Sequence, residues 1–67
     1  MHNESIRIIR LKEVMAMTGL SKTSIYRYSA DNQFPQSCSL GGRSVGWVES
    51  EVKQWLKARI EDREVAA

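Results

Sequence analysis

The sequence contains few of the residues that build metal centres and disulfides. Its 67 residues include one cysteine, Cys38, and one histidine, His2. A single thiol cannot form an internal disulfide, and one thiol with one imidazole cannot supply the four ligands of a structural zinc site. We therefore expect no metal, no cofactor and a domain that is held together by packing alone.

Long hydrophobic runs are also missing. The uncharged stretch from Gln33 to Gly42 contains a proline, two serines and two glycines, which excludes it as a membrane span. The N-terminus has no contiguous apolar segment of the kind that a secretory signal requires. We expect a cytoplasmic protein that makes no membrane contact.

The side-chain pairs that carry out catalysis are absent from the sequence as well. A nucleophile needs a base within hydrogen-bonding reach, and no acidic residue is paired with the single histidine or cysteine. Gly41-Gly42 lies in a predicted hairpin, whereas a phosphate-binding loop joins a strand to a helix. So short a chain also gives little scaffold for a catalytic cleft. We expect that the protein is not an enzyme.

Basic residues are in excess, and the excess is localised. Ten lysines and arginines face eight acidic residues, which gives a net charge of +2 and a pI of 9.0. Residues 1–48 contain six basic and three acidic residues, whereas residues 49–67 contain four basic and five acidic ones. A basic N-terminal part suits a polyanionic partner such as nucleic acid.

Two short helices separated by a tight turn are predicted in the first half of the chain. The first spans 12–18 and ends at Gly19, because glycine readily adopts the left-handed conformation that terminates helices. Ser21 is a typical N-cap for the second helix, which spans 22–32. Pro35 lies beyond this helix and disfavours helical geometry at the residue before it.

Extended segments flank this helix pair. Partial alternation of apolar residues predicts a short strand or an extended arm over 5–11. Two short extended runs, 37–40 and 44–48, surround Gly41-Gly42-Arg43. They predict a β-hairpin whose glycines supply the positive φ angles of the turn.

A third helix is predicted after the hairpin. Ser50 is expected to cap it. Apolar residues then recur at helical spacing along one face, which is expected to lie against the core, at Val52, Trp55, Leu56 and Ile60. Trp47 and Trp55 are expected to lie in the core, because aromatic side chains dominate the burial in a small domain.

These elements together predict a mainly α fold with a small β-hairpin. Three helices plus a wing form a winged helix-turn-helix, in which the hairpin is the wing. We expect a single DNA-binding domain over 1–67, with frayed ends at 1–5 and 64–67.

A helix-turn-helix predicts a particular way of contacting DNA. The second helix enters the major groove, where its exposed residues meet base edges and phosphates. Helical spacing turns Ile25 inward and Thr23 and Arg27 outward, and it places Tyr26 at the boundary between the two faces. Arg43 lies on a thin projecting turn that can reach phosphates or the minor groove. The candidate DNA-binding residues are Lys22, Thr23, Ser24, Tyr26, Arg27, Gly42, Arg43 and Ser44.

The pattern alone leaves other interpretations open. A pair of helices with an ordinary solvated face has the same residue spacing. A small protein-interaction module that binds another protein through the exposed helix would also show it.

An ordered series of motifs resembles a known family. The motifs are Thr18-Gly19-Leu20-Ser21, Ser24-Ile25-Tyr26-Arg27, Phe34-Pro35, Gly41-Gly42-Arg43, Trp47, and Glu49-Ser50-Glu51-Val52 with Trp55. Over residues 6–60 the chain resembles the AlpA family of small phage and prophage transcriptional regulators. That family is similar to excisionases and to the DNA-binding domain of MerR-type regulators.

The resemblance implies a regulator of a prophage or mobile element that binds double-stranded DNA and associates with the bacterial nucleoid. It places the recognition helix on 22–29 and the wing on 41–44. Integrase and RNA polymerase are candidate partners, and an excisionase-like recombination directionality factor acting with integrase is the alternative function.

Two further expectations concern the wing and assembly. Family members commonly carry a basic residue just before the wing tryptophan, where this chain has Gly46, so a weaker wing contact is expected. The residues after the third helix offer no apolar heptads for a coiled coil. We expect a monomer in solution that binds DNA cooperatively.

Overall fold

The computed structural model describes residues 6–66, with side chains through 63. The elements in chain order are β1 (Ile8–Ile9), α1 (Leu11–Thr18), α2 (Lys22–Ala30), β2 (Cys38–Gly41), β3 (Ser44–Val48) and α3 (Glu49–Ala66). The predicted fold class, a mainly α winged helix-turn-helix with three helices and a wing, is confirmed for these residues. The expectation of frayed ends at 1–5 and 64–67 lies outside the residues described in full.

The turn between α1 and α2 is formed as the sequence predicts. Gly19 has a left-handed φ of 74°, and its N–H donates to the carbonyl of Met15 at 2.8 Å. Ser21 is the N-cap of α2, because its Oγ accepts a hydrogen bond from the Ser24 N–H at 3.1 Å. The two helix ends that meet at this turn therefore each have a local hydrogen bond to an exposed backbone group.

The second helix is two residues shorter than the predicted range of 22–32. It ends at Ala30, and Asn32 adopts a left-handed φ of 60°. The side-chain amide of Gln36 donates to the carbonyl of Ser29 at 2.6 Å. The same carbonyl also accepts from the Asn32 N–H at 3.1 Å, so backbone and side-chain donors from beyond the helix both bind its C-terminal end.

The strand β3 lies at the centre of an antiparallel sheet with the order β1-β3-β2. The arm predicted over 5–11 forms a strand at Ile8–Ile9, where Ile9 lies opposite Trp47. The same central strand also contacts α1 and α3. It is the element against which most of the domain packs.

A compact core draws a residue from nearly every segment. The buried hydrophobic residues in the described part of the chain are Ile9, Val14, Ile25, Phe34, Trp47 and Val52. Trp47 is fully buried as predicted, and its Nε1–H donates to the carbonyl of Pro35 at 3.1 Å. The indole is therefore buried without leaving its polar group unpaired.

The start of α3 differs from its prediction. The helix begins at Glu49, directly after β3, so Ser50 lies inside the first turn and is not the N-cap. The Glu49 N–H donates to the carbonyl of Arg7 at 2.8 Å. The backbone next to β1 thus supplies an acceptor at this helix end, where a capping side chain was expected.

The apolar face of α3 is shorter than predicted. Val52 is buried, Trp55 and Leu56 are half-buried against the core, and Ile60 is 53% exposed. The prediction that Ile60 faces the core is wrong, because the helix continues past the last element on which it can pack. Within residues 6–66, no helix combines the length and the apolar character that crossing a membrane requires.

Gly46 allows the three strands to pack closely. It is buried in β3, opposite Cys38 of β2. A Cβ at this position would overlap with Cγ2 of Ile8 and would lie 3.2 Å from Cδ1 of Leu40. Side chains from both outer strands therefore meet above the glycine. The structure therefore gives Gly46 a packing role at the base of the wing.

We predict that Gly46→Ala destabilises the domain. Overpacking a tight site costs about 1–3 kcal/mol, which outweighs the gain of about 0.4–1 kcal/mol from restricting the unfolded chain. Urea unfolding should show a lower midpoint. In an Ile8→Ala background the overlapping methyl group is gone, so the same substitution should cost less. Equal costs in both backgrounds would contradict this account of Gly46.

Candidate nucleic-acid interface

The turn of the helix-turn-helix is held by side-chain and backbone contacts. Val14 of α1 and Ile25 of α2 are both buried, and the two helices pack on each other. The Thr18 hydroxyl donates to the carbonyl of Val14 at 2.8 Å and accepts from the Leu20 N–H at 3.1 Å. These contacts fix the direction in which α2 leaves the turn.

The burial of Ile25 determines which residues of α2 face solvent. Of the five candidates on this helix, Lys22, Thr23, Tyr26 and Arg27 are exposed. Helical spacing predicts this exposure for Thr23 and Arg27. Ser24 is half-buried, and its Oγ accepts a hydrogen bond from the Ser21 hydroxyl at 3.1 Å. Ser24 is therefore part of the cap as well as of the exposed end of the helix.

The wing tip is built by two glycines. Gly41 and Gly42 have φ angles of 109° and 54°, a region that favours residues without a Cβ. Arg43 follows them and is exposed at the tip, whereas Ser44 is half-buried at the start of β3. The structure thus places an arginine on a narrow projection, as the sequence predicts.

Ion pairing neutralises acidic residues around β1. The Arg7 guanidinium lies 3.2 Å from the Glu13 carboxylate and 3.5 Å from that of Glu49. Lys53 lies 3.9 Å from the same Glu49. The two carboxylates are therefore balanced by neighbours that lie outside α2 and the wing.

Other basic side chains form no ion pair among the described residues. Outside α3, the exposed basic residues that make no ion pair with any residue of the described range are Arg10, Lys12, Lys22, Arg27 and Arg43. Arg10 and Lys12 were not among the sequence candidates. The sequence contained a reason to consider them, because both lie at the N-terminus of α1. Basic side chains are electrostatically unfavourable at that end of a helix, so their presence suggests a role in binding a negatively charged partner.

The second helix and the wing strand meet through two aromatic rings. The ring centroids of Tyr26 and Trp47 are 6.1 Å apart, and their planes are tilted by 55°. Trp47 is fully buried and Tyr26 is 42% exposed. Tyr26 thus lies between the core and the candidate DNA-binding surface. The sequence placed it at the boundary of the helix face but did not reveal its partner.

A helix-turn-helix followed by a β-hairpin and a third packed helix defines a winged helix-turn-helix protein. Residues 7–60 match the family model described as prophage CP4-57 regulatory protein (AlpA). The chain belongs to the AlpA family. The resemblance on which the sequence analysis relied is confirmed.

Two relatives illustrate the similarity. The DNA-binding transcriptional activator AlpA of Escherichia coli (strain K12) is 41% identical over an alignment of 68 positions, which covers 88% of this chain and 94% of that protein. An uncharacterized protein, ORF88, of Enterobacteria phage P4 is 44% identical over 57 residues, which cover 85% of this chain. The aligned segment spans 65% of the phage protein, just under two thirds of its length.

We predict that Ser21→Ala weakens the domain by loosening the start of α2. The Ser24 N–H would lose its acceptor, and loss of an N-cap costs about 1 kcal/mol. The urea midpoint, followed by circular dichroism, should fall for Ser21→Ala and recover in Ser21→Asp. Ser50→Ala is the matched control, because Ser50 lies inside a helical turn, where alanine is well tolerated. A larger loss from Ser50→Ala than from Ser21→Ala would contradict the observed helix starts.

Proposed function

We propose that this protein is a sequence-specific DNA-binding transcriptional regulator of a prophage or another mobile element. The observation that carries the proposal is a pair of exposed arginines, Arg27 on α2 and Arg43 on the wing tip, that make no ion pair with any residue whose side chain the structure describes. The relative from Escherichia coli, named as a DNA-binding transcriptional activator, supports the same function. The phage relative and the family description support the association with a mobile element.

In this proposal α2 occupies the major groove. The groove is about 12 Å wide and admits one helix. Lys22 and Thr23, in the first turn of α2, contact phosphates, and Arg27 one turn further along contacts base edges. The Ser24 hydroxyl accepts one bond from the cap and still has a hydrogen to donate to the DNA. Arginine can bind guanine through two parallel hydrogen bonds, which makes Arg27 the main determinant of specificity.

The wing acts on the DNA backbone or in the minor groove. Gly42 carries no side chain, so the tip can approach the sugar–phosphate chain closely. Arg43 provides the positive charge, and the Ser44 hydroxyl provides a hydrogen-bond donor at the base of the tip. Contacts of this kind fix the orientation of a protein on DNA but are nearly independent of sequence.

The general test of DNA binding is salt dependence. Neutralising about four to six phosphates gives a slope of roughly −4 to −5 for log K against log salt. A shallow slope without preference for any DNA site would instead favour a protein-interaction module. Contacts with integrase or RNA polymerase, the excisionase-like alternative and the monomeric state stay predictions.

We predict that Arg27→Ala relaxes sequence discrimination. Loss of a base-contacting arginine should weaken binding to the preferred site by about 1–3 kcal/mol, and mainly at one base position. Binding-site selection with the wild type and the variant measures both effects. A variant with unchanged affinity and unchanged site preference would contradict the assignment of α2 as the recognition helix.

We predict that Arg43→Ala weakens binding to all DNA sequences to a similar extent. Loss of a phosphate contact should reduce the magnitude of the salt slope by about one. Arg63→Ala is the matched control, because it removes the same charge from an exposed position on α3. If Arg63→Ala changed the slope as much as Arg43→Ala, the effect would come from net charge and not from the wing.

A further inference from the structure

Several contacts fix the position of the Trp47 side chain, and one of them comes from Tyr26. The indole Nε1–H of Trp47 donates to the carbonyl of Pro35, which also accepts from the Ser29 hydroxyl of α2 at 3.3 Å. The Tyr26 ring packs against the indole from the same helix. These contacts connect the predicted recognition helix directly to the central strand, in addition to its packing on α1.

Trp47 lies on the strand that leads to the wing tip. Trp47 and Arg43 are joined by the continuous strand β3 (Ser44–Val48). The four-residue separation corresponds to about 13 Å of extended chain. A rotation of about 10° at Trp47 would therefore move the tip by about 2 Å. That displacement is enough to break a hydrogen bond, whose usual length is about 2.7–3.2 Å.

We propose that Tyr26 is a positioning residue that holds the wing at a fixed orientation to the recognition helix. Arg27 and Arg43 then bind one DNA segment as a single rigid unit. The inference rests on the proposed function, since it assigns both arginines to DNA. The aromatic ring carries this role, because it is the ring that packs against Trp47.

A rigid wing makes a specific thermodynamic prediction. In the wild type the wing is already oriented, so Arg43 contributes its full contact energy on binding. Without the Tyr26 ring the wing must be ordered during binding, and this entropy loss offsets part of the gain. The contributions of Tyr26 and Arg43 to affinity should therefore be coupled, although their side chains lie on different elements.

The test is a double-mutant cycle on a DNA site selected with the wild-type protein. Tyr26→Leu and Tyr26→Met remove the ring, and Tyr26→Phe removes the hydroxyl alone. We expect Arg43→Ala to lower affinity and the salt slope in the wild type and in Tyr26→Phe. In the ring-free variants its effect on affinity should be smaller by about 2- to 10-fold, the range typical of aromatic pairs.

Several results would overturn the proposal. An equal cost of Arg43→Ala in all backgrounds would show that the wing is positioned without Tyr26. Loss of the coupling in Tyr26→Phe would show that the hydroxyl acts, as a direct DNA contact. Failure of both ring-free variants to fold would make Tyr26 a stability residue. Residual dipolar couplings provide a further readout, because the α2–β3 orientation should change in Tyr26→Met but not in Tyr26→Phe.

The outcome is separable from that of the proposed function. If the wild type shows a shallow salt slope and no preferred site, the DNA-binding function fails. If the wild type binds specifically and Arg43 contributes independently of Tyr26, the positioning role alone fails. Arg27→Ala provides the internal control, since its effect on base discrimination should persist in the ring-free variants.

Discussion

The burial of Trp47 in the central strand is the constraint on which the rest of the structure depends. A domain of 67 residues has little apolar surface to bury, and one indole supplies a large share of it. The indole N–H must also be paired, because an unpaired buried donor is costly. The Pro35 carbonyl is the acceptor, so the loop after α2 has to return to the sheet. This requirement links the end of the helix-turn-helix to the base of the wing.

The parts of the fold that were predictable from the sequence depend on local signals. The turn at Gly19, the cap at Ser21 and the glycine hairpin each involve residues that are neighbours in the chain, and each is formed as expected. The errors involve distant partners. Ser50 is not a cap, because the start of α3 is satisfied by the backbone next to β1. Ile60 was expected in the core but is exposed. The prediction was wrong because helical spacing does not show where the core ends.

The candidate site was also predictable from the sequence only where its features are local to one helix or turn. Once Ile25 is assigned to the core, helical geometry determines which side chains of α2 face solvent, and the structure agrees. The contacts that each of these side chains makes could be identified only from the folded structure. Ser24 takes part in the cap, and Tyr26 packs on a tryptophan from a distant strand. Neither partner can be identified from periodicity, because periodicity describes one element at a time. Gly46 illustrates the same limit, since its neighbours come from both flanking strands.

The distribution of charge explains how a chain with a net charge of only +2 can present a surface suited to DNA. Exposed charges are screened over about 8 Å at physiological ionic strength, whereas the molecule extends over 44 Å. A DNA phosphate therefore responds to nearby side chains and not to the sum over the chain. Five of the eight acidic residues lie in α3, and Glu49 of this group is paired with Arg7, as is Glu13. Asp31 lies at the C-terminal end of α2 and makes no ion pair with a basic residue of the described range. Among the side chains that the structure describes, none forms an ion pair with the basic residues of α2 and the wing tip. The location of this positive charge, more than its amount, makes these two elements the surface that a polyanion would meet.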